Sequence, residues 1–150
     1  NEITIEWWKK MLNKFFLQNP NLQQYGLVAI RIITGLLMIY HGIEIFNADT
    51  MKMYLEWDVI KALPFSNIMP YLGKSIELIT GILFVLGLFT RVAALFMAGN
   101  MLFICFYIGS GKFYYEDQHT FLFAALALIF LFTGSVKFGL DNYLLRNSND

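Results

Sequence analysis

Four apolar segments dominate the sequence, and each is about as long as a membrane is thick. They cover roughly residues 25–46, 70–89, 92–111 and 117–136. A helix rises 1.5 Å per residue, so about 20 residues cross a hydrocarbon layer of about 30 Å. The segments therefore predict an all-α integral membrane protein built as a four-helix bundle.

The composition also favours a membrane protein. Hydrophobic residues make up 57% of the 150-residue chain and charged residues only 15%, whereas a soluble domain carries about a quarter charged residues. Eleven basic residues balance eleven acidic ones, and zero net charge argues against nucleic acid as a partner. The expected partner is the lipid bilayer. The single cysteine, Cys105, excludes an intrachain disulfide and a CxxC redox pair.

Residues 1–19 precede the first span and show a different pattern. Apolar side chains recur there at three- and four-residue spacing: Ile5, Trp8, Met11, Leu12, Phe15 and Phe16. The positions between them are polar and mainly basic: Glu6, Lys9, Lys10, Asn13 and Lys14. The pattern predicts an amphipathic helix in the lipid headgroup zone, which ends at Asn19-Pro20-Asn21. Residues 20–150 would then form the four-span domain.

The connections between the spans differ in length. Two residues separate the second and third spans, which predicts a tight hairpin in which Gly87 ends one helix and Thr90 caps the next. The first connection, residues 47–69, is much longer. There Asp49 or Thr50 is placed to cap a short helix, which we expect on the membrane surface in the first extracytoplasmic loop.

Lysine and arginine predict the orientation. An even number of spans places both ends of the sequence on one side of the membrane. Seven basic residues fall on that side: Lys9, Lys10, Lys14, Arg31, Arg91, Lys137 and Arg146. Four fall on the other side: Lys52, Lys61, Lys74 and Lys112. Because cytoplasmic loops carry the excess of positive charge, we expect both termini in the cytoplasm.

Ionisable side chains collect near the outer ends of the spans. His41 and Glu44 lie three positions apart near the end of the first span, so they share one side of its helix. Lys74 and Glu77 do the same near the start of the second span. A charge that faces lipid costs roughly 2.5–3.5 kcal/mol, so we expect these side chains to face the bundle interior. Further ionisable residues stand at the outer mouth of the fourth span: Glu116, Asp117 and His119.

This layer predicts a polar pocket that opens toward the outer face and has aromatic walls: Tyr40, Trp57, Phe113 and Tyr114. In one interpretation the pocket holds the head of a lipid-soluble quinone, and His41 and Glu77 exchange its protons. The other predicted ligand contacts are Tyr40, Glu44, Lys74, Trp57, Asp117 and His119. The alternative interpretation is a structural ion-pair network in which Lys74 pairs with Glu77 or Glu44.

A metal site is a weaker interpretation of the same residues. Diiron bundles present a Glu-x-x-His pair from each of two helices. The comparable residues here are His41, Glu44, Glu77 and His119, which do not repeat that order. Lys74 would also place a positive charge beside the metal, so we predict no metal ligands.

The remaining polar residues have structural explanations. Arg31 is expected to extend to the inner headgroups, and Arg91 to mark a cytoplasmic turn. Asn100, in the uncharged third span, needs a hydrogen-bond partner on another helix. Several small residues permit close helix contacts: Gly35, Gly42, Gly81, Ala94 and Ala98.

The hairpin sequence Gly87-Leu88-Phe89-Thr90-Arg91 joins two apolar spans, and this combination is a fairly specific signal of one protein family. Weaker signals accompany it: Arg31, Gly35, His41, Gly42, Gly73, Glu77, Gly81 and Asp141. Together these residues, from about 25 to 141, resemble the DoxX family of small bacterial membrane proteins. The resemblance implies a four-helix protein of the bacterial cytoplasmic membrane. Some members are subunits of quinone-reducing sulfur-compound oxidoreductases, and others accompany redox or detoxifying enzymes.

Two positions depart from the family pattern. The family often has a lysine where this chain has Ile45, with Glu44 beside it. A Gly-Pro-Gly stretch near the fourth helix is reduced to Gly134-Ser135. The first departure changes the charge of the outer pocket, so no substrate is carried over from the family.

The sequence therefore predicts a membrane subunit of a redox system that binds a quinone or a similar small ligand. One cysteine and two histidines cannot supply haem or iron–sulfur ligands, so electrons would come from another membrane subunit. Whether the chain is itself catalytic stays open. The alternative is a non-catalytic accessory subunit that packs against a larger membrane complex through its third and fourth spans. The aromatic residues of that face are Phe96, Phe103, Phe106, Phe121, Phe123, Phe130 and Phe132.

Overall fold

The computed structural model describes residues 2–16 and 20–146, and all regular secondary structure in these ranges is helical, as predicted. A 3-10 turn, Ile43–Phe46, follows the second helix, and a π-helical turn, Ile104–Ile108, follows the sixth. The α-helices are α1 (Glu2–Phe16), α2 (Pro20–Gly42), α3 (Ala48–Glu56), α4 (Asp58–Lys61), α5 (Met69–Leu86), α6 (Thr90–Phe103), α7 (Gln118–Thr133) and α8 (Leu140–Arg146).

Three helical segments are long and apolar enough to cross a membrane: Pro20–Phe46, Met69–Leu86 and Thr90–Ile108. They correspond to the first three predicted spans. The helix at the fourth predicted span, α7, is also apolar but has only 16 residues. It ends at Thr133 because Gly134 turns the chain with a φ of 73°.

The N-terminal helix α1 covers most of the segment predicted to be amphipathic. Its side chains from Thr4 to Leu12 are all exposed, including Trp8 at 53% and Leu12 at 48%. The predicted domain boundary at residue 19 lies outside the described residues. Pro20 begins α2, five positions before the predicted span, because a proline in the first turn of a helix loses no hydrogen bond.

The first long connection contains the predicted short helix, α3, followed by the single turn α4. The side-chain oxygen of Asn47 accepts hydrogen bonds from the backbone N–H groups of Asp49 and Thr50, both at 3.1 Å. The cap is therefore Asn47, and the prediction of Asp49 or Thr50 was wrong. The Asp49 carboxylate or the Thr50 hydroxyl could each cap a helix, but the chain enters this helix two or three residues earlier.

A side chain from a later part of the sequence holds the hairpin between α5 and α6. Gly87 ends α5 in the left-handed conformation, with a φ of 64°, as predicted. The prediction that Thr90 caps α6 was wrong, because Thr90 is already the first residue of the helix and Phe89 holds the cap position. Instead the carboxylate of Asp141, in α8, accepts the backbone N–H groups of Phe89 at 2.7 Å and Thr90 at 2.9 Å. It also accepts the Thr90 hydroxyl at 2.9 Å.

The helices α2 and α5 pack with their backbones in contact. A methyl group on Gly35 would lie 2.8 Å from the Gly81 carbonyl oxygen, and one on Gly81 would lie 2.8 Å from the Gly35 carbonyl oxygen. A methyl group on Gly42 would overlap the backbone of Leu78. The predicted role of these glycines in close helix contact is confirmed.

The apolar core lies between α2, α5, α6 and α7. Phe84 of α5 and Phe130 of α7 are fully buried, and their rings meet edge to face with centroids 5.2 Å apart. Met97 is also fully buried. Small residues bring α6 and α7 together around them: Ala94, Ala98, Ala124 and Ala127. The outward faces of these helices lie outside the core.

The segment after α7, residues 134–146, folds back over the hairpin and the start of α2. The backbone N–H of Lys137 donates to the Gln24 side chain at 3.1 Å. The ring of Phe138 stacks on Tyr25, with centroids 5.7 Å apart. We call residues 134–146 the C-terminal clasp and this end of the molecule the hairpin end.

Candidate functional site

A cavity of about 620 Å³ lies at the opposite end of the molecule from the hairpin. Helices α2, α5, α6 and α7 form its walls, and α3 and α4 lie over it. Most of the lining is apolar, with contributions from Met38, Ile60, Ile104 and Phe123. The size is within the range of small-molecule sites, which run from about 300 to 1,000 Å³.

One wall of the cavity carries an ion-pair cluster. The ammonium nitrogen of Lys74 lies 2.9 Å from an oxygen of Glu44 and 2.9 Å from an oxygen of Glu77. The Lys74 side chain is 14% exposed, that of Glu44 33% and that of Glu77 4%. The structure therefore brings together four predicted neighbours, since His41 lines the same cavity.

Tyr54 completes the cluster, and the sequence did not single it out as a site residue. Its hydroxyl donates a 2.6 Å hydrogen bond to the same Glu44 oxygen that Lys74 contacts. The Lys74 ammonium also lies 5.3 Å from the centre of the Tyr54 ring. Burial and the hydrogen bond to Glu44 raise the pKa of Tyr54, so the phenol stays protonated as a donor.

His41 is half-buried in the cavity wall. Its ring packs edge to face near Phe123, at 6.1 Å between centroids, and near Tyr40, at 5.7 Å. The imidazole makes no hydrogen bond or ion pair to any residue in the ranges that the structure describes. Its nitrogens are therefore free to bind a molecule in the cavity.

The other predicted contacts divide into two groups. Trp57 and His119 line the cavity. Tyr40 is not part of the lining and is 73% exposed. Asp117 is also not in the lining, because it closes the turn after α6 by accepting the backbone N–H and hydroxyl of Ser110, both at 2.9 Å. The aromatic walls predicted from Phe113 and Tyr114 are also absent from the lining.

Asn100 is a cavity residue whose partner was predicted only in general terms. Its amide donates to the backbone carbonyl of Gly73 on α5, at 3.3 Å, so the expected hydrogen bond between helices is confirmed. Gly99, beside it, lines the cavity and has open space around its α-carbon. This part of the wall, between α5 and α6, is where the cavity reaches the surface.

The π-helical turn Ile104–Ile108 lies in the same wall. The N–H of Gly109 bonds to the carbonyl of Ile104 at 2.7 Å, five residues back. Ile104 and Ile108 both line the cavity. A π-turn inserts one residue into a helix, and such turns are frequent at functional sites.

Two of the four possible metal ligands, Glu44 and Glu77, both pair with Lys74 instead. Within residues 2–16 and 20–146, no group of three His, Cys, Asp or Glu is placed to hold a metal ion.

Arg31 is fully buried at the hairpin end, with 1% of its surface exposed, so the expected extension to the headgroups was wrong. One guanidinium nitrogen donates to the carbonyl of Phe138 at 3.4 Å, and the other two make no hydrogen bond to a described residue. The guanidinium sits where side chains on Gly87 or Gly139 would be. Arg31 thus joins α2 to the hairpin and the clasp. Arg91 is exposed beside Gly134.

Long apolar helices, glycine-mediated helix contacts and charges turned inward define a small helical membrane protein. The DoxX family model matches residues 26–110, more than half of the chain, so the chain belongs to the DoxX family. A protein of Haemophilus influenzae described as uncharacterized is 28% identical over 136 residues, which cover 84% of this chain and 98% of that protein. No solved structure matches.

Proposed function

We propose that this chain is a multi-pass protein of a bacterial cytoplasmic membrane that binds a quinone in the cavity as a subunit of a redox system. The observation that carries the proposal is the composition of the cavity wall. Apolar surface surrounds most of it, and His41, Lys74 and Glu77 stand together on one side. An amphipathic molecule with a compact polar head and an apolar body matches that division.

The position of the cavity supports a ligand that arrives from the bilayer. Its wall reaches the surface between α5 and α6, at Gly99 and at Leu72, which is 50% exposed. Both residues lie within segments long and apolar enough to cross a membrane. A lipid-soluble ligand therefore needs no aqueous route to the site.

The proposal requires α7 to cross the membrane as the fourth span. Its 16 residues correspond to about 24 Å of helix, somewhat less than the hydrocarbon layer. Tyr114 and Tyr115 precede it and are 70% and 75% exposed. Aromatic residues of this kind sit at the membrane interface and would anchor the short helix there.

The orientation follows from the basic residues. The side that carries Lys9, Lys10 and Lys137 holds more lysine and arginine than the side that carries Lys52 and Lys112. We place the hairpin end and both ends of this sequence in the cytoplasm, and the cavity near the periplasm. The exposed apolar residues of α1, such as Trp8 and Leu12, would lie in the cytoplasmic headgroup zone.

The chemistry of the subunit would be proton exchange rather than electron supply. We assign the exchange of protons with the ligand to His41 and Glu77 of the wall when a quinone is reduced or oxidised. The electrons would pass to or from a partner subunit, because no haem or iron–sulfur ligand set is present in the sequence.

The test of quinone binding compares two matched substitutions. A methyl group on Gly99 or on Gly26 meets no atom within 4 Å, so a side chain can leave the backbone at both positions without a clash. Only Gly99 lines the cavity. Gly99→Phe should remove bound quinone from protein purified in mild detergent, measured by solvent extraction and chromatography, whereas Gly26→Phe should retain it. Equal quinone content in both variants, or none in the unmodified protein, would contradict the proposal.

One observation favours the accessory-subunit alternative. Phe96, Phe106 and Phe132 are exposed at 56%, 50% and 77% on the outward faces of the third and fourth helical segments. Phe130 is not part of such a face because it is fully buried, and Phe123 lines the cavity. Loss of a copurifying protein when Phe96 and Phe132 are replaced by leucine, with quinone content unaffected, would favour this alternative.

A further inference from the structure

Hydrogen-bond acceptors outnumber donors on the polar wall of the cavity. Two carboxylates, Glu44 and Glu77, share the single ammonium of Lys74. Tyr54 adds one donor, but its hydroxyl is directed at Glu44. With both carboxylates ionised and His41 neutral, the described cluster therefore carries one negative charge in excess.

Glu77 carries the unmet acceptor. One of its oxygens binds Lys74 at 2.9 Å, and its second oxygen has no hydrogen-bond partner among the described residues. The side chain is 4% exposed and lines the cavity, so the carboxylate is nearly removed from bulk water. This oxygen is not among the fully buried polar atoms that lack a partner, which in the described residues both belong to Arg31, so it is open to a molecule in the cavity. A carboxylate oxygen accepts hydrogen bonds, so a ligand that donates one is favoured at this position.

The ammonium of Lys74 is poorly placed to serve a ligand that only accepts. Two of its three N–H groups are accounted for by Glu44 and Glu77, and the ammonium also lies against the face of the Tyr54 ring. A quinone carbonyl accepts hydrogen bonds and donates none, so it would meet the lone pairs of Glu77. A quinol presents hydroxyl groups, which donate.

We propose, building on the quinone site proposed above, that the cavity selects a head group that donates hydrogen bonds and has no negative charge. The preferred ligand is therefore the reduced quinol rather than the oxidised quinone. The quinol hydroxyl donates to the free oxygen of Glu77, and the unpaired imidazole of His41 lies in the same cavity to accept or donate at the head. Amphipathic carboxylates are rejected because they would add charge beside two carboxylates.

The test measures both redox forms of one molecule on the intact chain. The sequence has three tryptophans. A Trp7→Phe and Trp8→Phe background leaves Trp57, which lines the cavity, as the only tryptophan whose fluorescence reports unfolding. Decylubiquinol and decylubiquinone are titrated anaerobically in detergent, and binding is followed by the rise in the thermal unfolding midpoint. Because the quinol donates a hydrogen bond to a charged acceptor, we expect it to bind about tenfold more tightly than the quinone.

The substitution Glu77→Gln identifies the acceptor. The amide nitrogen of glutamine donates, so the preference for quinol should disappear or reverse in favour of the quinone. Glu56→Gln is the matched control, because Glu56 has a 77% exposed side chain that pairs with Lys61 outside the cavity. That variant should keep the tenfold preference.

The possible results separate the two proposals. Equal or tighter binding of the quinone by the unmodified cavity overturns the preference for a donor and leaves the quinone site standing. Binding of neither form overturns the quinone site and the inference together. Stabilisation by dodecanoate as strong as by the quinol overturns the rejection of anions. These three measurements need no substitution at Glu77, so they remain decisive if Glu77→Gln does not fold.

Discussion

At the scale of single residues, the polar side chains of this protein work in two separate groups. Lys74 joins carboxylates from two helices at the cavity, and Asp141 joins the clasp to the hairpin. Sequence spacing predicted the first group because its members lie three apart on their helices. It could not predict Tyr54 or Asp141 as partners, because these contacts depend on how separate segments fold over each other.

Lys74→Met should destabilise the protein strongly. It leaves Glu44 and Glu77 without their shared cation, and breaking a buried ion pair costs about 3–5 kcal/mol. The expected change is a lower thermal unfolding midpoint in detergent. The triple variant Lys74→Met, Glu44→Gln, Glu77→Gln removes the uncompensated charges and should recover most of the loss. A Lys74→Met protein as stable as the unmodified one would show that the cluster is well hydrated.

Asp141→Ala should weaken the hairpin. It removes three hydrogen bonds at the start of α6, including those to Phe89 and Thr90, and loss of a helix cap costs about 0.5–2 kcal/mol. Thr90→Val removes only the bond from the hydroxyl and should cost less. Unfolding midpoints in the order unmodified, Thr90→Val, Asp141→Ala would support the cap; the reverse order would contradict it.

At the scale of helices, hydropathy was enough to place three spans but not their exact ends. The predicted fourth span continues to residue 136, whereas α7 ends at Thr133 because Gly134 has a positive φ. Arg31 was assigned to the headgroups by its depth along α2, yet the clasp covers it. The length of an apolar segment therefore predicts that it becomes a helix. Contacts with distant segments decide where a polar side chain such as Arg31 lies.

Gly81→Val tests the close contact between α2 and α5. The side chain would collide with the Gly35 carbonyl oxygen and the Ile39 backbone, both 2.8 Å from a methyl group at this position. Overpacking of this kind costs about 1–3 kcal/mol. Gly26→Val is the control, since open space surrounds Gly26 on the same pair of helices. A similar unfolding midpoint for both variants would contradict the contact.

At the scale of the whole molecule, the polar groups divide between the two ends. One end has the cavity with Lys74 and Glu77, and the other has Arg31 beneath the C-terminal clasp. The arrangement of basic residues in the sequence predicts which end faces the cytoplasm. It does not predict the cavity itself, because the volume arises from how α3 and α4 close over the helices.

Cysteine labelling tests this orientation. In a Cys105→Ala background, Lys112→Cys should react with a membrane-impermeant maleimide added to intact cells, because the proposed topology places the turn after α6 on the outer side. Lys137→Cys, in the clasp, should react only after the cells are opened. Both positions are exposed in the folded protein. The opposite labelling pattern would reverse the proposed topology.

The π-turn at Ile104–Ile108 has a consequence for how related chains differ. The turn holds one residue more than an α-helical turn, so deleting one residue there would bring Ile108 one position nearer to Ile104. Both residues line the cavity, so the cavity would change shape without any other substitution in its lining. Insertions and deletions in this one turn therefore offer relatives a direct means of adapting the chamber to molecules of another size.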